Sequence, residues 1–273
     1  MMQIVNIDQL LRHFESSDYD YEKIGLDFSN PLIGNAKITS DWLKLYKVCD
    51  ALLYSEIVRI VNQLLLDKVS IVSILLVGSV ARGLYSEKSD VDIIVILNKK
   101  VKTDKLAYKS VFRDINIVYR LKKQFHEAYL EGKEFFIWAI KYGLLLFDKN
   151  YIVNYYQNPI NKIKKDEMQN KFSYINIIVP RIYDALLGND LALGRKYIKK
   201  LIIQTARIIL ISKELVPKSR PELDKQLDEI QEPFSIIYNN INYIEDMNKE
   251  ELSDITDSVF SYINNYLKKL YTS

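Results

Sequence analysis

Residues 75–97, LLVGSVARGLYSEKSDVDIIVIL, decide how this chain reads. An apolar run from Ile71 to Val77 stops at Gly78-Ser79. A polar segment follows, and a second apolar run starts behind Asp90-Val91-Asp92. Runs rich in β-branched residues and Leu, bounded by a turn, are strand signals. Strand side chains alternate, so Asp90 and Asp92 share one face while Val91 and Ile93 turn to the other, into a core. Two carboxylates side by side at a strand start repel each other unless a cation or proton intervenes. That is the geometry of a divalent-metal site. The Gly78-Ser79 turn permits close backbone approach and offers N–H donors suited to phosphate. A helix starting just after Ser79 would add its N-terminus to that anion site.

Further out, FRDINIVY (112–119) predicts a third strand, on which Asp114 and Asn116 share a face. Helical patterns over 122–130 and 134–141 precede Gly143 and a short apolar strand, LLLF. Upstream, 7–14 reads as a short amphipathic helix and 16–36 as a polar stretch with no functional reading. Thr39 or Ser40 then caps a long helix with Asp41 in its first turn, ending near Asp67. After Tyr151 the strand signals stop. Four helices are expected, over 162–187, 191–215, 220–242 and 249–271. Gly188-Asn189-Asp190 supplies a break and cap, and Ser219-Arg220-Pro221-Glu222 a helix start. Short connections between four helices predict an antiparallel bundle. The organisation expected is an N-terminal extension over 1–40, an α+β domain over 41–150 with a mixed sheet and flanking helices, and a helical bundle over 151–273.

Composition narrows the chemistry. The 273 residues carry 38 Lys and Arg against 35 Asp and Glu, a net charge of +3, too balanced to indicate nucleic-acid binding by itself. The single cysteine, Cys49, excludes a disulfide within the chain and a thiolate-built zinc site, and reads as a buried helix residue. Only two histidines occur, His13 and His126, both read as surface or packing residues, so a metal site must be mostly carboxylate, favouring Mg²⁺ or Mn²⁺. No apolar stretch reaches membrane-spanning length, and the N-terminus lacks a basic region followed by an apolar core. A cytoplasmic protein without membrane partners is expected. Lys196, Lys199, Lys200 and Arg207 read as a solvated basic helix face, with a clamp on phosphates as the functional alternative.

Gly78-Ser79, a short spacer and Asp90-Val91-Asp92, with Ala81-Arg82-Gly83 after the turn, Ser89 ahead of the first Asp and apolar strands on both flanks, resemble the nucleotidyltransferase superfamily that includes DNA polymerase β. The nearest likeness is to its small prokaryotic minimal members, whose domain often ends in a strand similar to Tyr142-Gly143-Leu144-Leu145-Leu146-Phe147. The resemblance covers about 70–148. It implies a polymerase β-like fold and transfer of a nucleoside monophosphate from a nucleoside triphosphate, ATP in first place, to an acceptor hydroxyl. The acceptor class is left open between a small molecule, an RNA end and a protein side chain. Gly78 and Ser79 would hold the β- and γ-phosphates, with Arg82 and Ser89 beside them. Asp90 and Asp92 would bind the Mg²⁺ or Mn²⁺ that carries the triphosphate. A third carboxylate would join them at a second cation and help deprotonate the nucleophile. Residue type favours Asp114 for that position; spacing fits Asn116 about as well. With Asn116 there, the site loses one charge, and the alternative function is a nucleotide-binding, catalytically weak protein acting as a regulatory or antitoxin-like partner.

The helical half resembles, in architecture alone, the helical domains of aminoglycoside nucleotidyltransferases and HEPN proteins. HEPN ribonucleases carry an Arg and a His at short interval, and no His follows His126. The bundle is therefore expected to be no nuclease. Its expected role is to close the nucleotide cleft and shape the acceptor pocket. A homo-oligomer formed through the bundle is the third alternative.

Overall fold

A computed structural model describes residues 36–66, 70–87, 89–100, 113–160 and 162–272. The helix expected over 7–14 lies outside them. The single long helix expected from about residue 40 is two helices, α1 (Ala36–Val48) and α2 (Ala51–Leu66). They part at Cys49-Asp50, where the Asp50 carboxylate accepts the Leu53 N–H at 2.8 Å and caps α2. Because α1 begins at Ala36, Thr39 and Ser40 lie within it and are not its cap. Asp41 is 1% exposed, and its carboxylate accepts the Leu145 N–H at 2.8 Å. Cys49 sits half-buried in the break. Burial, aided by the Asp50 charge, pushes its thiol up to about 12.

The apolar runs form the strands that their composition predicts. β1 (Ile71–Val77) leads into a single helical turn, α3 (Gly78–Ala81), and β2 (Val91–Leu97) follows. β3 (Ile115–Leu121) runs straight into α4 (Lys122–Leu130). α5 (Glu134–Tyr142) then leads to β4 (Leu144–Asp148) and a short α6 (Val153–Gln157) that the sequence did not signal. The sheet order is β3-β2-β1-β4. β1 runs antiparallel to β2 and β4, and β2 runs parallel to β3. β1 and β2 are central and almost wholly buried, as unbroken apolar runs should be. β3 is an edge strand and only half-buried.

The C-terminal region is helical: α7 (Lys165–Leu187), α8 (Leu191–Ser212), α9 (Leu223–Glu229), α10 (Phe234–Asn239) and α11 (Lys249–Thr272). Asp190 caps α8 by accepting the Leu193 N–H, as expected of that break. The helix expected over 220–242 is instead a chain of short pieces, with 3-10 turns at Arg220–Glu222 and Asn240–Asn242. Gln231, at φ 53°, turns the chain between α9 and α10. Pro233, which has no N–H to donate, precedes α10.

The chain forms two compact units, Met1–Glu127 with Ala139–Pro159, and Ala128–Trp138 with Ile160–Ser273. In the first, Leu45, Ile57 and Val61 from α1 and α2 share a core with Ile74, Ile93 and Leu146 of the sheet. In the second, α7, α8 and α11 contribute Ile178, Ile202 and Val259 to a separate core. Glu134, at the start of α5, belongs to this second unit. It is 3% exposed, accepts from Arg207 Nε on α8 at 2.6 Å, and is paired with Lys171 on α7. The basic run on α8 is thus partly spent on internal pairs. Arg207 holds Glu134, Lys199 holds Glu245, and Arg195 donates to the carbonyls of Ile244 and Met247.

Candidate functional site

Strand pairing builds the site. The antiparallel register of β1 and β2 sets Val77 opposite Asp92, and the parallel register of β2 and β3 sets Asp92 opposite Asn116. The C-terminal end of β1 and the N-terminal ends of β2 and β3 therefore meet at one edge of the sheet.

Gly78 is the first residue past β1, at φ +82°. A Cβ there would stand 2.6 Å from Asp92 Oδ2, so only glycine lets the turn lie against that carboxylate. Asn116 Nδ2 donates to Asp90 Oδ2 at 3.2 Å and to Asp92 Oδ1 at 3.1 Å. The two carboxylates thus converge on one amide. Asp90 is exposed and Asp92 half-buried. Burial raises the Asp92 carboxyl above its ordinary range. The Asn116 hydrogen bond opposes that rise, and the Asp90 charge adds to it.

The other candidate residues are distributed around this point. Ser79 is half-buried in the turn, and its carbonyl accepts the Arg82 and Leu84 N–H groups at 3.1 and 2.9 Å. The helix it lies in, Gly78–Ala81, is four residues long, too short for a macrodipole to favour an anion there. The Arg82 guanidinium lies over the Tyr142 ring, 5.0 Å from its centroid. The Ser89 hydroxyl accepts the Ser86 N–H at 2.8 Å, and the Ser89 N–H returns to the Ser86 carbonyl at 3.0 Å. Ser89 is therefore part of a closed turn that leads into Asp90. Asp114 lies one residue before β3, with its side chain exposed and its carbonyl accepting the Val91 N–H at 2.9 Å. Among the described residues, no three His, Cys, Asp or Glu side chains gather closely enough to hold a metal ion. Asp114 thus does not join Asp90 and Asp92, and the side chain that meets both carboxylates is Asn116.

Two residues with a part in this edge carried no signal in the sequence. Arg113 Nη1 donates to the Ser86 carbonyl and, at 3.3 Å, to the Ser89 carbonyl, while its guanidinium lies 5.1 Å from the Tyr85 ring centroid. The Tyr85 hydroxyl accepts the Asp50 N–H at 2.8 Å and donates to the Asp50 carboxylate at 3.1 Å. These contacts tie the 84–90 loop to β3 on one side and to the head of α2 on the other. His126 lies away from this constellation: it is exposed, with Nδ1 2.8 Å from the Tyr155 hydroxyl.

Residues 55–178 match the family described as the nucleotidyltransferase domain. A crystal structure of a nucleotidyltransferase-like protein from Exiguobacterium sibiricum 255-15 is similar at 12% identity. The match covers 75% of this chain and 72% of that one, with a TM-score of 0.41. The curated proteins hold no match to the chain. Among the described residues, no helix is long and apolar enough to cross a membrane.

Proposed function

We propose that this domain binds a nucleoside triphosphate together with a divalent cation, Mg²⁺ or Mn²⁺, and transfers the nucleoside monophosphate to an acceptor hydroxyl. The observation that carries the reading is the convergence of Asp90 and Asp92 beside Gly78, within a segment that matches the nucleotidyltransferase family. Two carboxylates that both accept from one side-chain amide turn oxygens toward one point, which suits a hard cation with oxygen ligands. The cation, when bound, supplies charge neutralisation for the phosphates and for the departing pyrophosphate. Asp90 and Asp92 hold it at the sheet edge. The backbone of the Gly78 turn and the Ser79 hydroxyl meet the outer phosphates. The acceptor oxygen bonds to the α-phosphorus, the bond from that phosphorus to the bridging oxygen breaks, and the acceptor proton passes to solvent.

Asn116 favours a second reading, in which the domain binds nucleotide and transfers it slowly or not at all. An amide cannot take the acceptor's proton, and the resemblance implies a carboxylate in that role. The test is a transfer assay with each α-labelled nucleoside triphosphate, Mg²⁺ or Mn²⁺, total RNA and a protein extract, run beside Asp90→Asn/Asp92→Asn. Label entering one fraction with the native chain and lost in the double variant is the expected result, and it names the acceptor class. Nucleotide binding that the double variant abolishes, with no label in any fraction, supports the second reading. Binding and labelling that both survive the double variant reject the site.

A further inference from the structure

The superfamily resemblance implies two cations held by three carboxylates, and among the described residues no third carboxylate joins Asp90 and Asp92. Asp90 and Asp92 converge, but the corner that closes the triangle is Asn116, 3.2 and 3.1 Å from their oxygens. Whichever way round the amide lies, it carries no charge and offers at most one neutral carbonyl oxygen. Asp114 is exposed ahead of β3 and forms no three-carboxylate group with the pair. Two carboxylates plus substrate phosphates are an ordinary set for a single Mg²⁺. A second divalent ion close to the first must overcome their mutual repulsion, and a third negative charge is what offsets it. From this mismatch, and resting on the nucleotide-binding reading above, we infer that the site takes one divalent cation, the one delivered with the nucleotide. Asn116 is the residue that withholds a second. In the free protein its amide bridges the two carboxylates that would otherwise repel each other.

The test counts Mn²⁺ by electron paramagnetic resonance in the full chain with saturating α,β-methylene-ATP, after unbound ions and nucleotide are removed. One Mn²⁺ per bound nucleotide is expected for the native chain and two for Asn116→Asp. Asn116→Ser, which adds no charge, is expected to hold one, as is Asp114→Asn. If Asn116→Asp fails to fold, the native, Asn116→Ser and Asp114→Asn counts still decide. Two Mn²⁺ in the native chain overturn the inference, and a fall to one in Asp114→Asn would then assign the second ion to Asp114. One Mn²⁺ in a folded Asn116→Asp also overturns it, since charge at that corner would then not be what limits the count. Nucleotide bound with no Mn²⁺, or no nucleotide bound at all, removes the reading on which the inference rests, a result distinct from a count of two.

Discussion

Gly78 is the residue on which the site's shape turns. Its φ of +82° suits glycine, and its hydrogen faces Asp92 where a methyl group would stand 2.6 Å from a carboxylate oxygen. Gly78→Ala is therefore expected to destabilise the fold by about 1–2 kcal/mol for the left-handed backbone alone. The clash with Asp92 adds to that and should weaken nucleotide affinity more than stability. Urea unfolding and nucleotide titration of the same preparation separate the two effects. Unchanged affinity would show that the turn does not touch the ligand. The identity of this residue and its place before Ser79 were legible in the sequence. The contact of its backbone with Asp92 follows from the β1–β2 register, which sets Val77 opposite that Asp.

At the scale of elements, the loop from 84 to 90 matters as much as the strands it joins. It is short, exposed in part and closed on itself by Ser86 and Ser89, and Arg113 fastens both of their carbonyls to the head of β3. Arg113 thus holds the approach to Asp90 through the backbone of the loop. Arg113→Ala is expected to raise amide hydrogen exchange over 84–90 by about tenfold, the loss of roughly 1.4 kcal/mol of local protection, with little change in the exchange of β2. Equal exchange in the two proteins would mean that the Ser86–Ser89 turn stands by itself. The same scale explains where helix expectations went astray. Hydrophobic spacing runs through Cys49-Asp50, but the Asp50 carboxylate caps a new helix there. It also runs through 231–233, where Gln231 adopts a positive φ and Pro233 cannot donate.

Over the whole molecule, the two units divide the chain differently from its order. Residues 128–138 lie between two strands of the sheet in sequence, yet they belong with the helices from 160 onward. Glu134 binds that segment in place, because Lys171 and Arg207 are largely buried and it is the carboxylate paired with both. Removing it strands two cations. Glu134→Ala is expected to lower the stability of the helical unit by about 3 kcal/mol, the lower end for a broken buried pair, since both cations keep some solvent contact. Thermal unfolding followed by helical circular dichroism measures it. A shift under about 1 kcal/mol, typical of surface pairs, would show that the cluster is well solvated.

The sequence by itself determined what depends on local periodicity and chain chemistry: two buried strands, a Gly-Ser turn closing the first, Asp90 and Asp92 two residues apart at the start of the second, and a helical C-terminal region with a cap at Asp190. Each of these is settled within a few residues, by side-chain alternation, steric freedom or a cap. Tertiary structure alone decided between Asp114 and Asn116 as the neighbour of both carboxylates. Alternation along the sequence puts both residues on one face, and only the parallel β2–β3 register brings Asn116 opposite Asp92 while Asp114 falls ahead of the strand. It also decided that Arg113 serves the 84–90 loop and that Glu134 pairs with Lys171 and Arg207. The physical reason is the same in each case. Register and ion pairing are chosen by contacts between segments far apart in the chain, and no pattern within one segment reports its partner.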